Sequence, residues 1–258
     1  MPLSQSIEQS HKAMVEGRDV PWLLNLWVER TPDNPFLIWA PFEGEDRRWS
    51  YAEFGRDVNA VAAALHNRGV VAGERVLLHL DNSPEFMISW FACAQVGAVA
   101  VSTNTRSVAR DMTYFADHAG VVAAITQPGF AELVKESAPD IRFLVITDNN
   151  AGDKAKTPDS VPHIPFAELL GDKGACPVRA TDPHANLGIQ FTSGTTSRPK
   201  AVLWTHANTI WGAQMNASHM RLSGDDITLA FLPLFHTNAQ SYSMLGSLWV
   251  GGTIVVQP

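Results

Sequence analysis

At 258 residues, with 45% apolar and 17% charged side chains, the chain can bury a sizeable core as one large or two modest domains, and its composition is that of an ordinary globular protein. Its 26 acidic against 19 basic side chains leave a net charge of −7, which argues against a nucleic-acid partner because nothing draws it to a phosphate backbone. Two cysteines, Cys93 and Cys176, do not make a disulfide framework and suit a reducing cytosol.

Residues 1–20 are polar and read as a loose lead-in, with no signal peptide expected; the expected location is the cytoplasm. Trp22, Leu23, Leu26 and Trp27 recur at helical spacing over 22–30, and Thr31-Pro-Asp-Asn-Pro breaks that helix. Short strands follow at 36–40 and 47–49 around a turn at 43–46. Ser50-Tyr-Ala-Glu53 is a capping box, opening a helix that runs to Arg68 and buries Val58, Val61, Ala62 and Leu65. A strand at 74–80 precedes Ser83-Pro84-Glu85, which starts a helix with proline in its first turn and ends it at Gly97. The apolar window 86–101 is shorter than a bilayer span and contains Gln95 and Gly97, so no transmembrane segment is expected.

The same rhythm continues with a strand at 98–102, a helix at 107–118, a strand at 121–125, a helix at 130–138 and a strand at 141–146. Strands alternating with helices indicate an α/β fold, a largely parallel sheet covered on both sides. Residues 148–162 lack periodicity and read as a mobile surface loop. A polar stretch at 171–186 marks a boundary, giving a first α/β subdomain over 1–185 and the start of a second over 186–258. In the second, 201–204 is a strand, Thr205 caps a helix reaching about Arg221, 227–232 and 253–256 are strands, and 240–250 is a helix.

Between the apolar runs 187–191 and 201–204 lies Thr192-Ser-Gly-Thr-Thr-Ser-Arg-Pro-Lys200. Gly194 lets backbone pass close to a bound group, and the hydroxyls of Thr192, Ser193, Thr195 and Thr196 join successive backbone N–H groups as donors. Lys200 adds a positive charge at the far end. A loop of this composition is suited to an anion, although a plain solvated connection has the same composition. It is not a Walker loop, because its lysine follows proline and precedes a strand rather than opening a helix.

The segment resembles the phosphate-binding motif of the adenylate-forming (AMP-binding) superfamily, which includes acyl-CoA synthetases, peptide-synthetase adenylation domains and luciferases. Ser197 stands where most members carry Gly. Trp49-Ser-Tyr-Ala-Glu-Phe, Val96-Gly-Ala-Val-Ala-Val and Leu232-Pro-Leu-Phe-His236 resemble weaker family features, and Asn104-Thr-Arg106 leans toward acyl-CoA synthetases. The resemblance covers essentially the whole chain but only the first half of a family member. It implies the N-terminal domain of such an enzyme, truncated before the C-terminal domain, with the adenine motif, the hinge and the catalytic lysine beyond Pro258 and little turnover by this chain alone.

The resemblance further implies an ATP-dependent acid–thiol ligase that makes an acyl-adenylate and then an acyl-CoA thioester, placing it in fatty acid metabolism. The alternatives are amino-acid adenylation for a peptide synthetase or amide ligase, and a non-catalytic nucleotide-binding fragment. Its substrates would be a small carboxylic acid, ATP and coenzyme A, with magnesium; a homodimer is compatible with it. Residues 192–196 would wrap the β- and γ-phosphates with Ser197 and Lys200 beside them, and the Thr196 hydroxyl could reach the magnesium ion. Lys200 would fix the loop or a phosphate, and a merely solvated lysine stays open. His236 would gate the acyl pocket, against the alternative of an ordinary core histidine. Asn238, Ala239 and Gln240 would lie near the acyl group, and Trp204, Trp211 and Met215 are candidates for lining its tunnel. No HExxH, paired CxxC or GxSxG motif occurs, and Cys93 reads as inert packing.

Overall fold

Apolar residues in consecutive positions of a strand cover opposite faces of its sheet, so a strand apolar throughout needs cover on both sides. The computed structural model, which describes residues 15–192 and 198–258, has two main sheets, and the central strands of the larger one are of this kind. The larger contains β3 (Arg75–His79), β4 (Val99–Ser102), β5 (Val121–Thr126), β6 (Phe143–Ile146), β9 (Ile164–Pro165), β10 (Asn186–Phe191) and β11 (Ala201–Thr205). Their spatial order is β11-β10-β4-β3-β5-β6-β9, and every pairing is parallel except β10 with β11. The smaller sheet joins β1 (Pro35–Trp39), β2 (Arg47–Ser50), β12 (Ile227–Ala230) and β13 (Thr253–Val256) in the order β12-β13-β1-β2, with only β2 antiparallel.

Alternation sorts the strands of the larger sheet between two cores. Val76, Leu78, Ala123, Ile125 and Val145 enter one core, which also takes residues of α2 (Tyr51–Asn67), α3 (Pro84–Val96) and the smaller sheet. Leu77, Ala124, Leu144 and Ile146 enter the other, under α4 (Ala109–Ala119) and α5 (Ala131–Ser137). Local sequence sets where these helices begin and end. Ser50 Oγ accepts from the Glu53 amide at 3.2 Å while Glu53 Oε2 accepts from the Ser50 amide at 2.9 Å, completing the capping box of α2. Ser83 Oγ accepts from the Phe86 amide at 3.2 Å, and α3 stops at Gly97 in the left-handed region at φ 82°.

Strands from both sides of residue 185 share both sheets, since β10 lies beside β4 and β13 beside β1. The division expected at 185/186 therefore runs through the sheets rather than between them. The apolar runs flanking the hydroxyl-rich loop complete an existing parallel sheet instead of founding a new one. Residues 148–162, expected as a loop, contain the hairpin β7 (Asn149–Asn150) and β8 (Asp153–Lys154). The short α6 (Phe166–Leu170) had no separate signal, and α7 (His206–Met220) starts at its expected cap, Thr205; α1 (Val20–Arg30) begins earlier than expected, capped by Asp19 from within the stretch read as a loose lead-in. The helix expected over 240–250 is a π-helical turn, Ala239–Met244, followed by α8 (Leu245–Val250). Among the described residues no helix is long and apolar enough to cross a membrane.

Candidate functional site

β4 and β10 run parallel, with Gln190 in register with Ser102, so their carboxyl ends open on the same edge. In open α/β sheets that edge is where small ligands settle. The chain leaves β10 at Phe191 and returns at Ala201. The base of the intervening loop is closed by the Thr192 amide donating to the Lys200 carbonyl at 3.0 Å and the Lys200 amide donating to Thr192 Oγ1 at 3.2 Å. Lys200 and Thr192 are exposed. The sequence-expected contacts at Ser193, Gly194, Thr195, Thr196 and Ser197 lie outside the described residues.

Helix α4 braces both stems of this loop. Phe115 stacks on Phe191 with ring centroids 4.1 Å apart, Tyr114 Oη donates to the Pro199 carbonyl at 3.0 Å, and the Arg198 guanidinium lies 5.5 Å over the Tyr114 ring. These contacts fix the two stems to α4.

Opposite the loop runs the segment 231–237. Asn82, which is buried, holds it at two points and ties it to the residue after β13: its Nδ2 donates to the Leu232 carbonyl at 3.1 Å, its Oδ1 accepts from the Leu234 amide at 2.6 Å, and the same Nδ2 donates to the Gln257 carbonyl at 3.0 Å. His236 at the end of this segment is exposed, with its ring 4.6 Å from Phe235. The Thr237 hydroxyl bonds Gln190 Oε1 across the gap. The result is a cleft of ≈ 460 Å³ with Thr192 and Pro199 on one wall, His236 and Thr237 on the other, and Gln190 and Trp204 between them. Asn104 and Asp111 line its mouth.

Behind the cleft, and sharing Ser102, Gln190, Trp204 and Thr237 with it, is a narrow recess. Gln240 lines this recess, donating from Nε2 to the Leu234 carbonyl at 2.7 Å and to Ser102 Oγ at 3.4 Å. Of the expected acyl-pocket residues, His236 and Gln240 thus reach the two cavities. Asn238, exposed, and Ala239, fully buried, line neither. Trp204 lines both, but Trp211 and Met215 are 41% and 46% exposed on α7 and line neither, which corrects their expected place in the tunnel. Helical spacing alone could not tell the outward face of α7 from the inward one. A second opening of ≈ 560 Å³ on the far side of Phe235 contains Asp81, Asn82 and Arg106.

Asn82, Tyr114, Gln190 and Thr237 escaped the sequence reading. None belongs to a local pattern; each comes from a separate element, and only Gln190 gave a hint, as an amide inside an apolar strand. Two further polar groups lie in the cores and not in the cleft. His79 is buried with Nδ1 2.8 Å from Thr103 Oγ1, and burial holds its pKa down to about 4. His206 accepts from the Val20 amide at 3.2 Å and lies beside the Arg179–Asp19 ion pair; burial first, then Arg179, lowers its pKa to about 4.

A cleft at the carboxyl end of a largely parallel sheet, with Thr192 and Pro199 on one wall, defines an α/β protein of the ligand-binding open-sheet class. The chain belongs to the AMP-binding enzyme family, whose model matches residues 24–258. Over 226 residues it is 32% identical to the crotonobetaine/carnitine–CoA ligase of Salmonella heidelberg (strain SL476), covering 87% of this chain and 43% of that protein. The apo structure of MbtA from Mycobacterium smegmatis superposes with a TM-score of 0.83 at 27% identity, over 99% of this chain and 46% of that one. The inhibitor-bound N-terminal domain of FACL13 from Mycobacterium tuberculosis gives a TM-score of 0.75 at 27% identity, over 93% and 57% of the two chains. The chain spans less than half the length of the curated relatives it matches.

Proposed function

We propose that the protein is an acyl-CoA ligase, joining a carboxylic acid to the AMP moiety of ATP and passing the acyl group to coenzyme A. The observation that supports this is that Thr192 and Pro199 of the loop stems share one cleft with His236. A triphosphate on the loop and a carboxylate beside His236 would then be neighbours. In the first step a carboxylate oxygen attacks the α-phosphorus and the bond to pyrophosphate breaks. In the second the thiolate of coenzyme A attacks the acyl carbon and AMP leaves.

Charge builds on the phosphate oxygens in the first step, and fixed donors meet it. The residues proposed for this are Thr192, Ser193, Gly194, Thr195, Thr196, Ser197 and Lys200, with Lys200 as a point charge rather than a base. The hydroxyl-rich donor set suits a hard cation, so magnesium would be held through Thr196 and would neutralise phosphate charge. His236 gates the acyl group's path to the recess, where Gln240 lies beside it. The CoA-ligase activity of the relatives favours coenzyme A as acceptor over a carrier protein, and Arg106 in the second opening offers a cation to an anionic co-substrate.

Pyrophosphate tests the loop without needing the adenine site. Calorimetry of the chain with magnesium pyrophosphate should show binding that Thr196→Ala/Lys200→Ala weakens by about tenfold or more, equivalent to about 1.4 kcal/mol. Equal affinity in both proteins would remove the loop from the account.

A further inference from the structure

Lys200 enters the proposed chemistry as a point charge, and such a charge acts only where its backbone aims it. A peptide unit is planar, so fixing the two units that flank a Cα atom fixes the direction in which its side chain leaves. Both units flanking Lys200 are held. In the unit before it, Tyr114 Oη donates to the Pro199 carbonyl at 3.0 Å and the Lys200 amide donates to Thr192 Oγ1 at 3.2 Å. In the unit after it, the Lys200 carbonyl accepts from the Thr192 amide at 3.0 Å. The pyrrolidine ring of Pro199 restricts the backbone one residue earlier.

Two of these three bonds run through Thr192 and join the loop's stems to each other. Tyr114 supplies the third from outside the loop, on α4, whose Met112, Phe115, Ala116 and Ala119 are buried. The hydroxyl therefore refers the Pro199–Lys200 peptide to the packed body of the protein.

The neighbouring cation is held elsewhere by the same residue. The Arg198 guanidinium lies 5.5 Å over the Tyr114 ring, a cation–π contact, and lines a separate opening of ≈ 650 Å³ with Arg110 and Asp117. Arg198 does not line the cleft.

The geometry points to Tyr114 as a positioning residue for the phosphate loop: its hydroxyl aims Lys200 and its ring keeps Arg198 out of the cleft, so that Lys200 rather than Arg198 meets the phosphates. This rests on the ligase reading, which puts a triphosphate on the loop.

Calorimetry with magnesium pyrophosphate on the parent chain, Tyr114→Phe, Lys200→Ala, the double variant and Arg198→Ala tests it. Phenylalanine keeps the ring and removes one neutral hydrogen bond, so affinity should fall about fivefold, and at least as far for Lys200→Ala. With Lys200 already replaced, Tyr114→Phe should change affinity by less than about twofold, because no lysine is left to aim. A hydroxyl that merely tightened the loop would weaken binding in both backgrounds alike. Arg198→Ala should stay within about threefold of the parent, the residual effect of a distant charge. Circular dichroism checks that each variant is folded. Unchanged affinity in Tyr114→Phe, equal weakening in both backgrounds, or an Arg198→Ala loss as large as that of Lys200→Ala would overturn the positioning role while leaving the ligase reading in place. A parent chain that binds no pyrophosphate would overturn both.

Discussion

Replacing Asn82 with alanine tests how the segment carrying His236 is held. The side chain is 6% exposed and makes the bonds to Leu232, Gln257 and Leu234 described above. Alanine would strand the buried Leu234 amide, at about 1–3 kcal/mol for an unpaired buried donor. The two freed carbonyls belong to residues that water can reach, Leu232 being 39% exposed, and each costs about 0.5–1 kcal/mol. A total loss of about 2–5 kcal/mol follows, or a fall in Tm of roughly 4–20 °C in a protein of this size. Asn82→Asp separates donor from acceptor: it keeps an oxygen for the Leu234 amide but turns a carboxylate on two carbonyls. That variant should be at least as unstable at neutral pH and recover in part as its carboxyl protonates. Urea unfolding and scanning calorimetry of the three proteins decide the matter. A loss below about 1 kcal/mol for alanine, or an aspartate variant as stable as the parent, would refute the claim that this amide pins the segment.

Acid should weaken the fold through its buried imidazoles. His79 and His206 sit near pKa 4 when folded and near 6.5 when unfolded, so the unfolded chain takes up protons first as pH falls. Stability is then full above about 6.5, drops down to about 4 and levels below both, with up to about 3 kcal/mol from each group. Urea midpoints should fall between pH 7 and 4.5, and His79→Gln should flatten the slope; a midpoint independent of pH would refute it. Thiol labelling offers a second check, because burial pushes the Cys93 thiol up to about 12 while Cys176 is only half-buried. The native chain should react at Cys176 alone at pH 8, with Cys93 appearing only on unfolding; equal rates for the two would contradict the packing of α3.

What could be read from the sequence was what neighbouring residues decide among themselves. The capping box at Ser50 and Glu53, the Ser83 cap with Pro84, and the stop at Gly97 are short-range arrangements, and each gave its helix boundary to within a residue or so. Which strands lie side by side was not written locally. Nothing near Leu37 names Ile254 as its partner, so the sharing of both sheets across residue 185 emerged only from the structure. The π-helical turn at Ala239–Met244 was hidden for a related reason, since its apolar residues also satisfy an α-helical period. The loop 192–200 stood out because its residues are contiguous. Asn82, Tyr114 and Gln190 did not, because each serves the cleft from a different element, and folding alone brings them to it.

The place of β1 in the smaller sheet bears on how the chain is made. Leu37 must wait for Ile254, and the Tyr51 hydroxyl, which donates to the Gly252 carbonyl at 2.8 Å, waits equally long for a residue 201 positions away. During synthesis Leu37 and Tyr51 emerge early and lack these partners until β13 has left the ribosome, an interval in which sticky intermediates favour aggregation. Lesions in β13 should therefore surface first as poor yield from the cell, long before any purified sample reveals altered chemistry.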